Sequence, residues 1–153
     1  MSELKLTVTP ITEEAAHGQV AEIYEDIKQT KQIDFIPRFW QTLATQPALL
    51  ESTWTALKRW MHPESVSETS NLDAKTREMI ALAVSATNGC TYCIQSHTAA
   101  LAKLGMNQEA VGEVMAIAGL FNQTNALAHG YQIAPDVLPN WDGAEESSDD
   151  SNV

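Results

Sequence analysis

Residues 76–104 read TREMIALAVSATNGCTYCIQSHTAALAKL, a stretch that holds both cysteines of the chain, Cys90 and Cys93, with His97 four residues after the second and Glu78 upstream. A thiol pair, an imidazole and a carboxylate are the groups needed to form a thiolate, let it attack and close a disulfide. Residues four apart on a helix share a face at roughly 6 Å between Cβ atoms, so Cys93 and His97 can meet if both are helical. Cys90 falls two turns before His97 on the same side. Glu78 cannot join them along one straight helix, because its separation from Cys90 would be about 18 Å. The chain must therefore reverse between them. Asn88-Gly89 is the expected place, since both residue types tolerate the left-handed conformation that ends a helix.

This reading gives one helix from about Ala74 to Thr87, capped by Asp73, and a second from near Cys90 to Gly105. Packed side by side, they let Glu78 approach His97 across their interface. The thiols then sit at a helix start, where unpaired N–H groups and the positive end of the dipole favour a thiolate.

Upstream, residues 1–11 read as an extended arm stopped at Pro10. Thr12 is a plausible cap for a helix to about Gln29, with Ala16, Val20, Ile23 and Ile27 at helical spacing. After a polar connector over residues 28–36, Pro37 suits the first turn of a short helix carrying Phe39, Trp40 and Leu43. Pro47 starts another, with Leu50, Trp54, Leu57 and Met61 on one face. Residues 62–72, HPESVSETSNL, read as a surface loop. Downstream, Asn107 caps a helix to about Ala118 with Ala110, Val111, Val114 and Met115 facing inward. A last helix runs from about Leu120 to His129, before Gly130 and Pro135. The sum is an all-α chain, a single-domain bundle of about six helices over residues 1–139. An acidic, Ser-rich tail over 140–153 is expected to be disordered.

At 153 residues and 44% hydrophobic content the chain can bury a core as one domain. Its net charge of −11 disfavours nucleic acid and anionic membrane surfaces. MSELKLTVTP lacks the charged-then-apolar pattern of a secretory signal, and no apolar run reaches membrane-spanning length, so a cytoplasmic location is expected. In a reducing compartment a CxxC pair points to catalysis or metal binding rather than to a structural staple. Trp40, Trp54 and Trp60 are candidates for a subunit interface, where aromatics are enriched. His17, His62 and His129 have no partner pattern and read as surface or packing residues.

Glu78, the run ALAVSATNGC, the Cys90-Thr91-Tyr92-Cys93 motif and His97 resemble the core of the alkylhydroperoxidase D and carboxymuconolactone decarboxylase-like family. All four residues fall where its peroxidase branch has them, while LATQPALLESTW and the later alanine-rich stretch are similar more loosely. The resemblance implies an all-helical, homo-oligomeric enzyme, trimeric or hexameric, that uses no cofactor and no metal and works as a thiol-dependent peroxidase on hydroperoxides. In that reading Glu78 polarises His97, which takes the proton of Cys93. The four-residue spacing to His97 assigns Cys93 as the peroxidatic thiol and Cys90 as the one that resolves its sulfenic acid to a disulfide, which an external thiol partner reduces; the inverse assignment of the two cysteines uses the same groups. Some relatives carry a histidine between the cysteines where this chain has Tyr92, a phenol that is no substitute base at neutral pH.

Three other readings use the same residues. A general thiol-disulfide oxidoreductase needs the same groups. A zinc or redox-sensor module would take Cys90, Cys93, His97 and Glu78 as ligands, although one CxxC with one histidine lacks the usual second ligand pair. The lactone decarboxylase branch of the family does not need a thiol pair.

Overall fold

The computed structural model of the protein describes residues 6–140, and every regular element among them is helical. Six α-helices follow one another: α1 (Gln19–Lys31), α2 (Arg38–Leu43), α3 (Pro47–Met61), α4 (Ala74–Thr87), α5 (Thr91–Lys103) and α6 (Gln108–Gly130). Apart from Asn140, the tail read as disordered lies outside the described residues, as do the first five residues of the arm.

The first three helices close around Val20, Tyr24 and Ile27 of α1, Ile36 and Trp40, Ala44, and Leu50 and Trp54 of α3. Aliphatic and aromatic side chains at helical spacing on α1 and α3 give each a buried face, and burying such a face is what makes short helices stable. Charged groups at the edge of this packing are compensated. Asp26 accepts the indole N–H of Trp54 at 2.6 Å and the Lys58 ammonium at 2.9 Å. Burial works against its charge, but those hydrogen bonds outweigh burial and hold its carboxyl below the ordinary range.

Four expectations are corrected here. The N-terminal helix begins at Gln19, not after Thr12, because residues 12–16 form a turn and Gly18, at φ 54°, takes a backbone conformation outside the helix. Residues 62–72 are not all surface loop: Pro63–Val66 form a 3-10 turn whose Pro63 is buried. The two helices expected after Asn107 are one 23-residue helix, running through Gly119. A single glycine costs a helix about 1 kcal/mol relative to alanine, which weakens it without ending it. Trp40 and Trp54 are core residues at 3% exposure each, and of the three proposed interface tryptophans only Trp60, at 69%, is exposed.

The second half of the chain has a much smaller interior. Leu82 of α4 and Leu101 of α5 are fully buried, with Ser85 beside them donating to the Ala81 carbonyl. α4 packs on both α5 and α6. None of the 23 residues of α6 is buried, and Ile117, Leu120, Phe121 and Leu127 stand about half exposed. No helix among the described residues is long and apolar enough to cross a membrane.

Candidate active site

The α4–α5 corner builds the site. Asp73 caps α4 by accepting the Thr76 N–H at 2.7 Å, as its position before the helix implies. At the other end Gly89, at φ 67°, lets the chain turn out of the helix. Its N–H reaches the Ala86 carbonyl at 3.2 Å and that of Cys90 reaches Ser85 at 3.0 Å, the paired bonds of a Schellman ending. Cys90 then serves a second purpose. It is the N-cap of α5, and its sulfur accepts the Cys93 N–H at 3.3 Å. One residue therefore ends one helix and starts the next, so the two run back past each other.

That reversal brings Glu78 to His97, with 2.7 Å between the Glu78 Oε2 and the His97 Nδ1. Both side chains are largely withdrawn from water, at 12% and 26% exposure, which strengthens a charge-assisted hydrogen bond. In the Nδ1–H tautomer the carboxylate accepts that proton, and Nε2 of His97 is then the acceptor nitrogen of the ring. His97 lies one turn after Cys93 on α5, on the same face. Cys90 and Cys93 are joined as a disulfide with their Cα atoms 5.3 Å apart. Both are partly buried.

Two basic residues that sequence reasoning missed interact electrostatically with Glu78. Lys31, from the end of α1, and His62, at the end of α3, both lie within its electrostatic reach. Burial pushes the Lys31 ammonium below its usual range, with Lys103 acting the same way and Glu78 opposing. Burial also lowers the His62 pKa, helped by the charge of Lys31. The His62 Nδ1 is 3.8 Å from Glu64, while its Nε2 is buried without a partner. The available signal was the run from Met61 to Pro63, which puts His62 at the end of an apolar face. No cluster of three or more His, Cys, Asp or Glu side chains among the described residues is arranged to hold a metal ion.

An all-helical frame carrying a CxxC at a helix start, backed by a Glu-His pair on the preceding and same helices, defines a class of helical dithiol proteins. Comparison with known proteins gives the chain's family and fold. The model of the carboxymuconolactone decarboxylase family matches residues 55–136. The fold is similar to the crystal structure of the alkylhydroperoxidase AhpD core from Rhodospirillum rubrum, with TM-score 0.70 and 45% identity over 77% of this chain and 83% of that one. Among curated proteins, the alkyl hydroperoxide reductase AhpD of Coxiella burnetii is 41% identical over 51 residues, 33% of this chain and 29% of that protein. An (R)-2-haloacid dehalogenase of Pseudomonas putida is 33% identical over 72 residues, 47% of this chain. The matched stretch spans only 24% of the dehalogenase. The chain belongs to the carboxymuconolactone decarboxylase family, and its fold is that of the AhpD core.

Proposed function

We propose that the protein is a thiol-dependent peroxidase that reduces hydroperoxides through the Cys90–Cys93 pair. The observation that carries this reading is the 2.7 Å Glu78–His97 contact in the same helical corner as the two sulfurs. A Glu-His pair one turn from a thiol is what proton removal requires, and it has no evident use in a structural disulfide. The similarity to proteins named alkylhydroperoxidase and alkyl hydroperoxide reductase supports the same chemistry.

In the reduced protein, His97 Nε2 takes the Cys93 proton, and Glu78 holds the ring and offsets the charge it gains. The thiolate attacks the outer peroxide oxygen. The O–O bond breaks, Cys93 becomes a sulfenic acid, and the leaving alkoxide takes the proton from His97. Cys90, whose sulfur sits at the α5 N-terminus where a thiolate is stabilised, attacks the Cys93 sulfur and expels water. An external dithiol returns the disulfide to the starting state. Each cycle converts one hydroperoxide and one dithiol to one alcohol, one water and one disulfide.

Stopped-flow mixing of the reduced protein with an alkyl hydroperoxide, and separately with a small disulfide, tests this reading. Cys93→Ser is expected to abolish peroxide consumption, and Cys90→Ser to allow one turnover that halts at a sulfenic acid. Glu78→Gln should slow the peroxide reaction on the order of 10²-fold, the usual weight of a positioned proton-transfer group. A parent protein that reacts with the disulfide and leaves the hydroperoxide untouched would establish the general oxidoreductase instead.

The same reading includes self-association. A 23-residue helix with no buried residue leaves Ile117, Leu120, Phe121 and Leu127 facing water in one chain. Contiguous apolar surface of that kind marks an interface, and further copies of this chain are its occupants.

A further inference from the structure

Tyr92 stands between the two cysteines, and the proton transfers above give it no task. Its side chain leaves the dithiol and crosses to the N-terminal half of the molecule. The hydroxyl oxygen accepts the Phe39 N–H at 3.4 Å, and the two rings stack with centroids 6.2 Å apart and planes inclined at 29°. That N–H lies in the first turn of α2, where backbone donors have no partner within the helix, and the N-cap Pro37 offers no side-chain acceptor. Phe39 in turn meets Trp40 edge-on at 5.0 Å, and Trp40 meets Trp54 edge-on at 5.2 Å. Both tryptophans are core residues fixed by packing. An unbroken series of ring contacts thus joins the residue between the cysteines to the rigid interior of α1–α3.

We propose that Tyr92 is a positioning residue, anchoring the first turn of α5 to the α2–α3 core so that Cys90 and Cys93 are held in the geometry of their disulfide. This rests on the reading that the pair cycles between dithiol and disulfide. Only the difference in anchoring between the two redox states shifts their equilibrium. The contacts are present with the pair joined as a disulfide; on this proposal they loosen in the dithiol, so that removing them makes the disulfide easier to reduce.

Equilibration with glutathione measures this directly: protein dithiol plus glutathione disulfide gives protein disulfide plus two glutathione thiols, with two electrons passing to glutathione. Tyr92→Ala is expected to lower the equilibrium constant about threefold to tenfold, the weight of one aromatic pair and one hydrogen bond. Phe39→Ala, which cuts the anchor from the other side, should shift it the same way. The double variant should shift it no further than the larger single change, the non-additivity of partners in one contact. Tyr92→Phe keeps the ring and loses the acceptor, and should fall between the parent and Tyr92→Ala. Thermal unfolding of both redox forms supplies the control. An anchor for the disulfide lowers the melting temperature of the oxidised Tyr92→Ala protein more than that of the reduced one, whereas a merely structural role lowers both alike. An equilibrium constant within twofold of the parent, or additive shifts in the double variant, would overturn the proposal. None of these measurements uses a peroxide, so a dithiol inert to hydroperoxides would remove the peroxidase reading and leave the Tyr92 result standing.

Discussion

At the scale of residues, the four groups of the candidate site could be read because their spacing is itself geometry. Four residues on a helix is one turn, and twelve is too far, so a reversal at Asn88-Gly89 followed from counting. The structure reverses there, at Gly89. His62 had no such signal, because what faces it comes from other elements: Lys31 on α1, Glu64 on the 3-10 turn, and Arg77 and Glu78 on α4. Its titration leaves a measurable trace. Burial lowers its pKa from the ordinary 6.5, so below that pH the unfolded chain takes up a proton that the folded one refuses. The stabilising effect is complete above the unfolded value and is lost as pH falls from it toward the depressed folded value. Asp26 and Asp73 have pKa values lowered from 3.8 and act only at more acid pH. His62→Gln is therefore expected to flatten melting temperature against pH just below 6.5 and to leave the more acid limb unchanged. Parallel curves for parent and variant would contradict the assignment.

At the scale of elements, caps and stops were legible where a single residue type decides them. Asp73 and Asn107 each accept the N–H three residues on, at 2.7 and 2.9 Å, and Gly89 and Gly105 turn the chain at φ 67° and 76°. The misses have the opposite character. The break expected between Ala118 and Leu120 falls at Gly119, yet nothing lies within 4 Å of where its side chain would begin, and helical residues on both sides carry α6 through it. Likewise, the spacing of Ala16, Val20 and Ile23 suggested a helix across Gly18, where the local conformation prevents it. The packing of α4 on α5 is what sets the Glu78–His97 distance, and it depends on few residues. Leu82 and Leu101 are both fully buried there. Leu82→Ala should cost about 2–5 kcal/mol by leaving a cavity, and denaturant unfolding measures it. Because the helices that carry Glu78 and His97 then lose their shared support, hydroperoxide turnover should fall in the variant even where it remains folded.

For the whole molecule, the fold class was readable from the helical periodicity of the apolar residues, but the division of labour between its halves was not. Aromatic enrichment pointed to Trp40, Trp54 and Trp60 as an interface, whereas Trp40 and Trp54 make the N-terminal core, and α6 carries exposed apolar residues in addition to the exposed Trp60. Composition cannot tell a core tryptophan from an interface one, because both environments exclude water. Replacing Leu120 and Phe121 together by Glu is expected to yield monomers in light scattering, and an unchanged mass would place the contact elsewhere. The central claim, a dithiol that reduces peroxide, is tested most directly by adding one equivalent of an alkyl hydroperoxide to the fully reduced protein and titrating thiols. The peroxidase reading requires both thiols of each chain to disappear, one alcohol to form, and peptide mapping to find Cys90 joined to Cys93. Thiols that persist beside intact hydroperoxide would contradict it.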